Sequence, residues 1–227
     1  MPTLTPAQLN FFHENGYLKL TAAEHNLVSP AQLQQWTNEV RSWPLEKGKW
    51  MPYFEVTSDG TRQLMRTENF VDFHAPFEEL VCGDGLGGIL AQLAGEKTTL
   101  FKDKINYKLP NGNGFHAHVD YHAYSHIAPV AHLTANIAVD DASIANGCLE
   151  VVPGSHRMDI SFAQGGRIVR GWEDAHEWVP VELCAGDVLF FGKRDAEVDY
   201  SQGWKQYGFA APFSPTDAVD AAPPVKA

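Results

Sequence analysis

Thr99–His122, TLFKDKINYKLPNGNGFHAHVDYH, is the stretch whose reading decides the fold. Two runs able to form strands flank a turn, Pro110-Asn-Gly-Asn-Gly114, in which glycine supplies backbone angles that other residues resist. Downstream the texture repeats. Phe115–Tyr124, Val130–Val139, Leu149–Val152, Trp178–Leu183 and Val188–Phe191 read as short strands. Asp140-Asp141, Asn146-Gly147, Pro153-Gly154 and Gly186-Asp187 punctuate them. Short strands at even spacing after a helical prelude predict a mainly β domain with flanking α, a jelly roll (double-stranded β-helix, cupin-like) with N-terminal helices.

Working outward, the N-terminal third reads as helical. Thr5-Pro6 and Ser29-Pro30 are cap-plus-proline starts, followed by apolar stripes at Leu9 and Phe12, and at Leu33, Trp36 and Val40. Gly16 stops the first helix, and Tyr17–Leu20 reads as a strand. Residues 45–66 read as irregular, and Ala75–Gly95 as helical with a break from Gly83 to Gly88. Residues 1–209 are expected to form one domain, and the Ala/Pro-rich stretch 210–227 a loose tail.

Composition narrows the function. With 17 Lys+Arg against 28 Asp+Glu the chain carries a formal charge of −11, which repels phosphate backbones and anionic surfaces. No run approaches membrane-spanning length, and the stretch Met1–Leu20 has no basic region followed by an apolar one, so no signal peptide is expected. Cys82, Cys148 and Cys184 form no metal knuckle and no disulfide framework, so they are expected to be reduced and core-facing. These features predict a cytoplasmic protein acting on a small molecule, with no nucleic-acid or membrane partner.

The chemistry concentrates in Phe115–His122. On a strand, His118 and Asp120 share a face and can approach one metal ion, and a His-x-Asp pair with a distant histidine is the facial triad of non-haem iron oxygenases. His116 permits a second constellation, a His116-x-His118 pair like that of cupins, and His122 and His126 lie close by. Trp50, Phe54, Met65, Tyr121 and Tyr124 can serve as pocket lining or as core.

A family resemblance rests on joint motifs: Lys104–Lys108, Gly112-x-Gly114-Phe115, His118-x-Asp120, Leu133–Asp141, Asn146-Gly-Cys-Leu-Glu-Val-Val-Pro-Gly-Ser-His156 and Ala185–Phe191. Over about residues 5–192 the chain resembles the phytanoyl-CoA dioxygenase-like proteins and the related ectoine hydroxylases. The resemblance implies Fe(II), 2-oxoglutarate and O2 as cofactors, with succinate and CO2 released as a small molecule is hydroxylated. By position it implies His118 and Asp120 as metal ligands and catalytic residues, and Asn136, Lys108, Asn106 and Tyr107 as residues near the cosubstrate. Regular alternation would not let Tyr107 share a face with Asn106 and Lys108.

One departure stands out. The family carries a distal iron-binding histidine and a 2-oxoglutarate-binding arginine after the Gly-Asp strand, yet no histidine follows His176, and Gly192 runs directly into Lys193-Arg194. Three explanations compete: a segment missing at Gly192–Lys193, a true deletion that leaves a non-catalytic jelly-roll binding protein, or substitution of the ligand by His176 or His116. The first is expected, because an inner strand is costly to lose.

Overall fold

The computed structural model describes residues 2–120, 132–163 and 166–193. Helix α1 (Pro6–Asn15) begins with a reciprocal cap. The Thr5 hydroxyl accepts from the Gln8 amide, and the Gln8 side chain accepts from the Thr5 amide at 2.9 Å. Gly16 closes it at φ 79°, a conformation that costs glycine nothing. The chain continues through β1 (Tyr17–Leu20), a one-turn α2 (Ala22–His25) and α3 (Pro30–Arg41), capped by Ser29 and Gln32 in the same way.

The irregular stretch expected at residues 45–66 is instead most of a hairpin, β2 (Met51–Val56) and β3 (Arg62–Glu68). Asp59 accepts from the Thr61 amide at 3.0 Å, and Gly60 turns the tip at φ 84°. The pairing slips between Tyr53 and Phe54, which erases the alternation that would have marked a strand. Helices α4 (Ala75–Cys82) and α5 (Asp84–Ala94) follow, and the break is confined to Gly83, at ψ 165°. The long strand expected from Thr99 reduces to β4 (Lys104–Asn106), beside β3.

Strands β5 (His132–Ile137), β6 (Leu149–Val151), β7 (Val179–Val181) and β8 (Val188–Lys193) complete the described sheets, with a short helix α6 (Arg170–Glu173) before β7. The sheets run β1-β8-β5, β2-β3-β4 and β6-β7, all antiparallel. This is a jelly roll backed by the N-terminal helices. Residues 115–120 lie outside any regular strand, with a single bridge from His118 to Arg167. The rest of the strand expected there, with Tyr121, His122, Tyr124 and His126, lies outside the described residues, as does the tail 210–227.

Strand β8 divides the molecule. On one face Val188 and Phe190 are fully buried with Leu18, Leu20, Ile89 and Leu93. Each such side chain contributes about 1.5–3 kcal/mol of burial. On the other face Leu189 packs against Val181 and Leu183, and Phe191 packs beside it. The turn into β8 is tied by Asp187, which is buried and accepts from the Ala22 and Cys184 amides at 3.0 Å each, and from Lys19 Nζ at 3.1 Å. Among the cysteines, Cys82 and Cys184 are exposed rather than core-facing, and Cys148 is half-buried; all three are free thiols. Among the described residues, no helix is long and apolar enough to cross a membrane.

Gly192 and Lys193 both belong to β8. Strand β8 runs through the junction, with Gly192 opposite Leu133 and Lys193 opposite His132. Gly192 is required there, because a Cβ would stand 2.1 Å from the His132 carbonyl oxygen.

Candidate active site

Alternation along β5 builds one wall of the site. Leu133, Ala135 and Ile137 pack against the helix-side core, while His132 and Thr134 line a cavity of about 870 Å³. A site of this size suits a small organic ligand. A second wall comes from the glycine-rich turn. Buried Glu55 accepts from the Asn113 amide at 2.9 Å, from its side chain at 3.1 Å and from Gln63 at 2.9 Å. That anchor presents Lys108, Phe115, His116, His118 and Asp120 to the same cavity.

His118 and Asp120 converge although no regular strand aligns them. His118 Nε2 lies 3.2 Å from Asp120 Oδ1, and His118 Nδ1 lies 2.6 Å from the His116 carbonyl oxygen. A proton on Nδ1 satisfies that carbonyl and Nε2 donates to Asp120 Oδ1; a bound metal would take the place of the Nε2 proton. The second Asp120 oxygen accepts from Thr134 Oγ1 at 3.0 Å. Burial pushes the Asp120 carboxyl up, but the His118 hydrogen bond, the Lys104 charge and the Thr134 hydroxyl together hold it well below the usual carboxylate range. The hydrogen bond to Asp120 raises His118 against the opposing effect of burial. His132 is lowered by burial, with Lys104 adding to the shift and Asp120 opposing it.

The pair fits a metal. Two ligands each about 2.1 Å from one ion, at right angles, stand about 3 Å apart. The observed 3.2 Å is the spacing of one such coordination edge. Among the described residues no third histidine, cysteine or carboxylate joins it. His116 lines the cavity, whereas His176 stacks on Trp172 at 3.8 Å and is not among the lining residues.

The other sequence-predicted residues divide. Lys108 lines the cavity, its Nζ 3.9 Å from the Phe115 ring centroid, and burial lowers its pKa. Asn106 accepts from Arg66 Nε at 3.0 Å, and Tyr107 is buried in the core with its hydroxyl 3.2 Å from Thr67 Oγ1; neither lines the cavity. Asn136 follows Thr134 on the same β5 face, opposite Leu189, and is also not among the lining residues. Trp50 is core, and Phe54 and Met65 do not reach the cavity.

Sequence reasoning missed Thr134, His132, Glu55 and the aromatic wall at Trp172 and Trp178. Thr134 was within reach, two residues before Asn136 on one strand face. The tryptophans had no periodic signal, since Trp172 sits in a single helical turn and Trp178 lies beyond it.

A jelly roll whose cavity receives a histidine and a carboxylate 3.2 Å apart presents two of the three ligands of the facial triad of non-haem iron dioxygenases. The chain belongs to the phytanoyl-CoA dioxygenase (PhyH) family, whose model matches residues 12–194. It is 39% identical over 193 residues to dioxygenase lolE1 of Epichloe uncinata, covering 85% of this chain and 75% of that protein. It is also 39% identical over 193 residues to the methylphosphonate hydroxylase of Gimesia maris, covering 83% and 72%. Among solved structures it resembles EctD from S. alaskensis with 2-oxoglutarate and 5-hydroxyectoine, at TM-score 0.68 and 20% identity, over 83% of this chain and 67% of that one.

Proposed function

We propose that the chain hydroxylates a small molecule in the cytoplasm, using Fe(II), 2-oxoglutarate and O2 and releasing succinate and CO2. The observation that carries this reading is the 3.2 Å approach of His118 Nε2 to Asp120 Oδ1 inside the cavity. One oxygen atom of O2 enters a substrate C–H bond and the other enters succinate as 2-oxoglutarate loses CO2. Bound iron would supply the oxidising chemistry and would leave open positions for a chelating 2-oxo acid.

The chain's own residues hold and orient. The His116 carbonyl fixes the His118 tautomer, and the Thr134 hydroxyl fixes the Asp120 carboxylate. Lys108, which lines the cavity, would meet a carboxylate of the cosubstrate, while Asn136, Asn106 and Tyr107 stand behind the lining. The small-molecule class is supported by relatives named methylphosphonate hydroxylase, 2-aminoethylphosphonate dioxygenase and ectoine dioxygenase. Three free thiols suit a reducing compartment.

The test is succinate formation from 2-oxoglutarate by the purified full chain with Fe(II), screened against small polar molecules. Stimulated turnover supports the reading. Uptake of metal and 2-oxoglutarate with no succinate under any condition would instead identify a jelly-roll binding protein.

A further inference from the structure

A part of the cavity wall remote in sequence from the His118–Asp120 pair has a chemistry the oxidation does not use. Trp172 and Trp178 both line the cavity, with ring centroids 6.4 Å apart and planes at 80°, so that they form a corner. Both indole N–H groups are already engaged, Trp172 with the Asp159 carbonyl and Trp178 with the Glu173 carbonyl, each at 3.1 Å. What they offer a ligand is therefore ring surface. His176 stacks on Trp172 with centroids 3.8 Å apart and planes at 21°, covering one face of that indole and leaving the other. Glu173 is half-buried and lines the cavity beside them, and among the described residues its carboxylate has no hydrogen-bond or ion-pair partner.

These features select a charge type. Tryptophan faces carry negative potential and attract a cation within about 6 Å of the ring centroid. An unpaired carboxylate adds to that attraction and repels an anion. A neutral apolar group would cover Glu173 without compensating it, which costs free energy. The net charge of −11 favours cation approach. We propose that Trp172, Glu173 and Trp178 form a subsite for a positively charged nitrogen of the substrate, an amine or quaternary ammonium. This rests on the oxygenase reading only in taking the cavity as the substrate chamber.

The test uses the iron-free full chain and two isosteric probes, choline and 3,3-dimethyl-1-butanol, titrated by ligand-observed NMR. Choline should saturate, and the neutral isostere should bind at least about tenfold more weakly. Glu173→Gln, with an unchanged melting temperature, should weaken choline toward the level of the isostere, the tryptophan faces retaining part of the preference, and an unchanged choline affinity would overturn the proposal. Should that variant be destabilised, wild type still decides: added salt should weaken choline and leave the isostere unchanged. Equal binding of the two probes, no choline binding, or a salt-independent choline affinity overturns the proposal. Failure here leaves succinate formation intact, whereas absent succinate with intact choline selectivity removes the oxygenase reading and spares the subsite.

Discussion

Replacing Gly16 with alanine tests how the Pro153–His156 motif is joined to the N-terminal helix. His156 Nε2 meets the His13 carbonyl oxygen at 3.0 Å, the Arg157 guanidinium donates to the same oxygen, and the Gly154 amide donates to the Asn15 carbonyl at 2.8 Å. A Cβ on Gly16 would stand 2.3 Å from His156 Nδ1, and Gly16 has φ +79°. The left-handed backbone costs an alanine about 1 kcal/mol. Displacing the imidazole forfeits its hydrogen bond, about another 1 kcal/mol, and crowding adds at least about 1 more. A loss of about 3 kcal/mol lowers the melting temperature of a chain this size by about 6–12 °C. In a His156→Ala background the ring contacts are gone and only the residue 156 Cβ stays close, at 3.0 Å, so the same substitution should cost mainly the backbone term, about 1 kcal/mol. Urea unfolding of the four proteins of the cycle measures the coupling, expected to be about 2 kcal/mol. Equal costs of Gly16→Ala in both backgrounds would refute the docking of the motif onto α1.

Other predictions follow from particular contacts. Gly192→Ala should separate β5 from β8 and destabilise the protein more than Gly114→Ala, whose Cβ would meet nothing within 4 Å; equal melting temperatures for the two would count against the continuous β8. Burial pushes Asp187 up, but the Cys184 and Ala22 amides and Lys19 win and hold it below its ordinary range, so its stabilisation is present above about pH 4 and is lost as the pH falls through the depressed value. The wild-type advantage over Asp187→Asn in urea should accordingly shrink in acid, and an advantage that is the same at about pH 7 and about pH 3 would contradict it. Thr134→Val leaves one Asp120 oxygen without its donor and should weaken metal binding by about 10–100-fold, read by chelator competition; an unchanged affinity would remove Thr134 from the site.

Much of this was legible before any coordinates. Thr5-Pro6 with Gln8, and Ser29-Pro30 with Gln32, carry complete start signals within a few residues, and the structure begins α1 and α3 there. The Asn146–His156 motif and the short-strand spacing pointed to the jelly roll. The β2–β3 hairpin was hidden because the slip at Tyr53/Phe54 breaks alternation. His118 and Asp120 were singled out by a strand argument, but the structure brings them together from an irregular segment held by Glu55, a residue some sixty positions away that no local pattern marks. The Trp172–Trp178 corner is likewise tertiary. It arises where α6 leads into β7, and no periodicity announces a single turn.

The central claim, that His118 and Asp120 hold iron for 2-oxoglutarate chemistry, is tested most directly by measuring bound Fe(II) and succinate together for wild type and Asp120→Ala, with the melting temperature of both as a control on folding. The account predicts that wild type takes up iron and forms succinate in proportion to it, and that Asp120→Ala, equally folded, does neither. Equal iron uptake and equal succinate from the two proteins would contradict it.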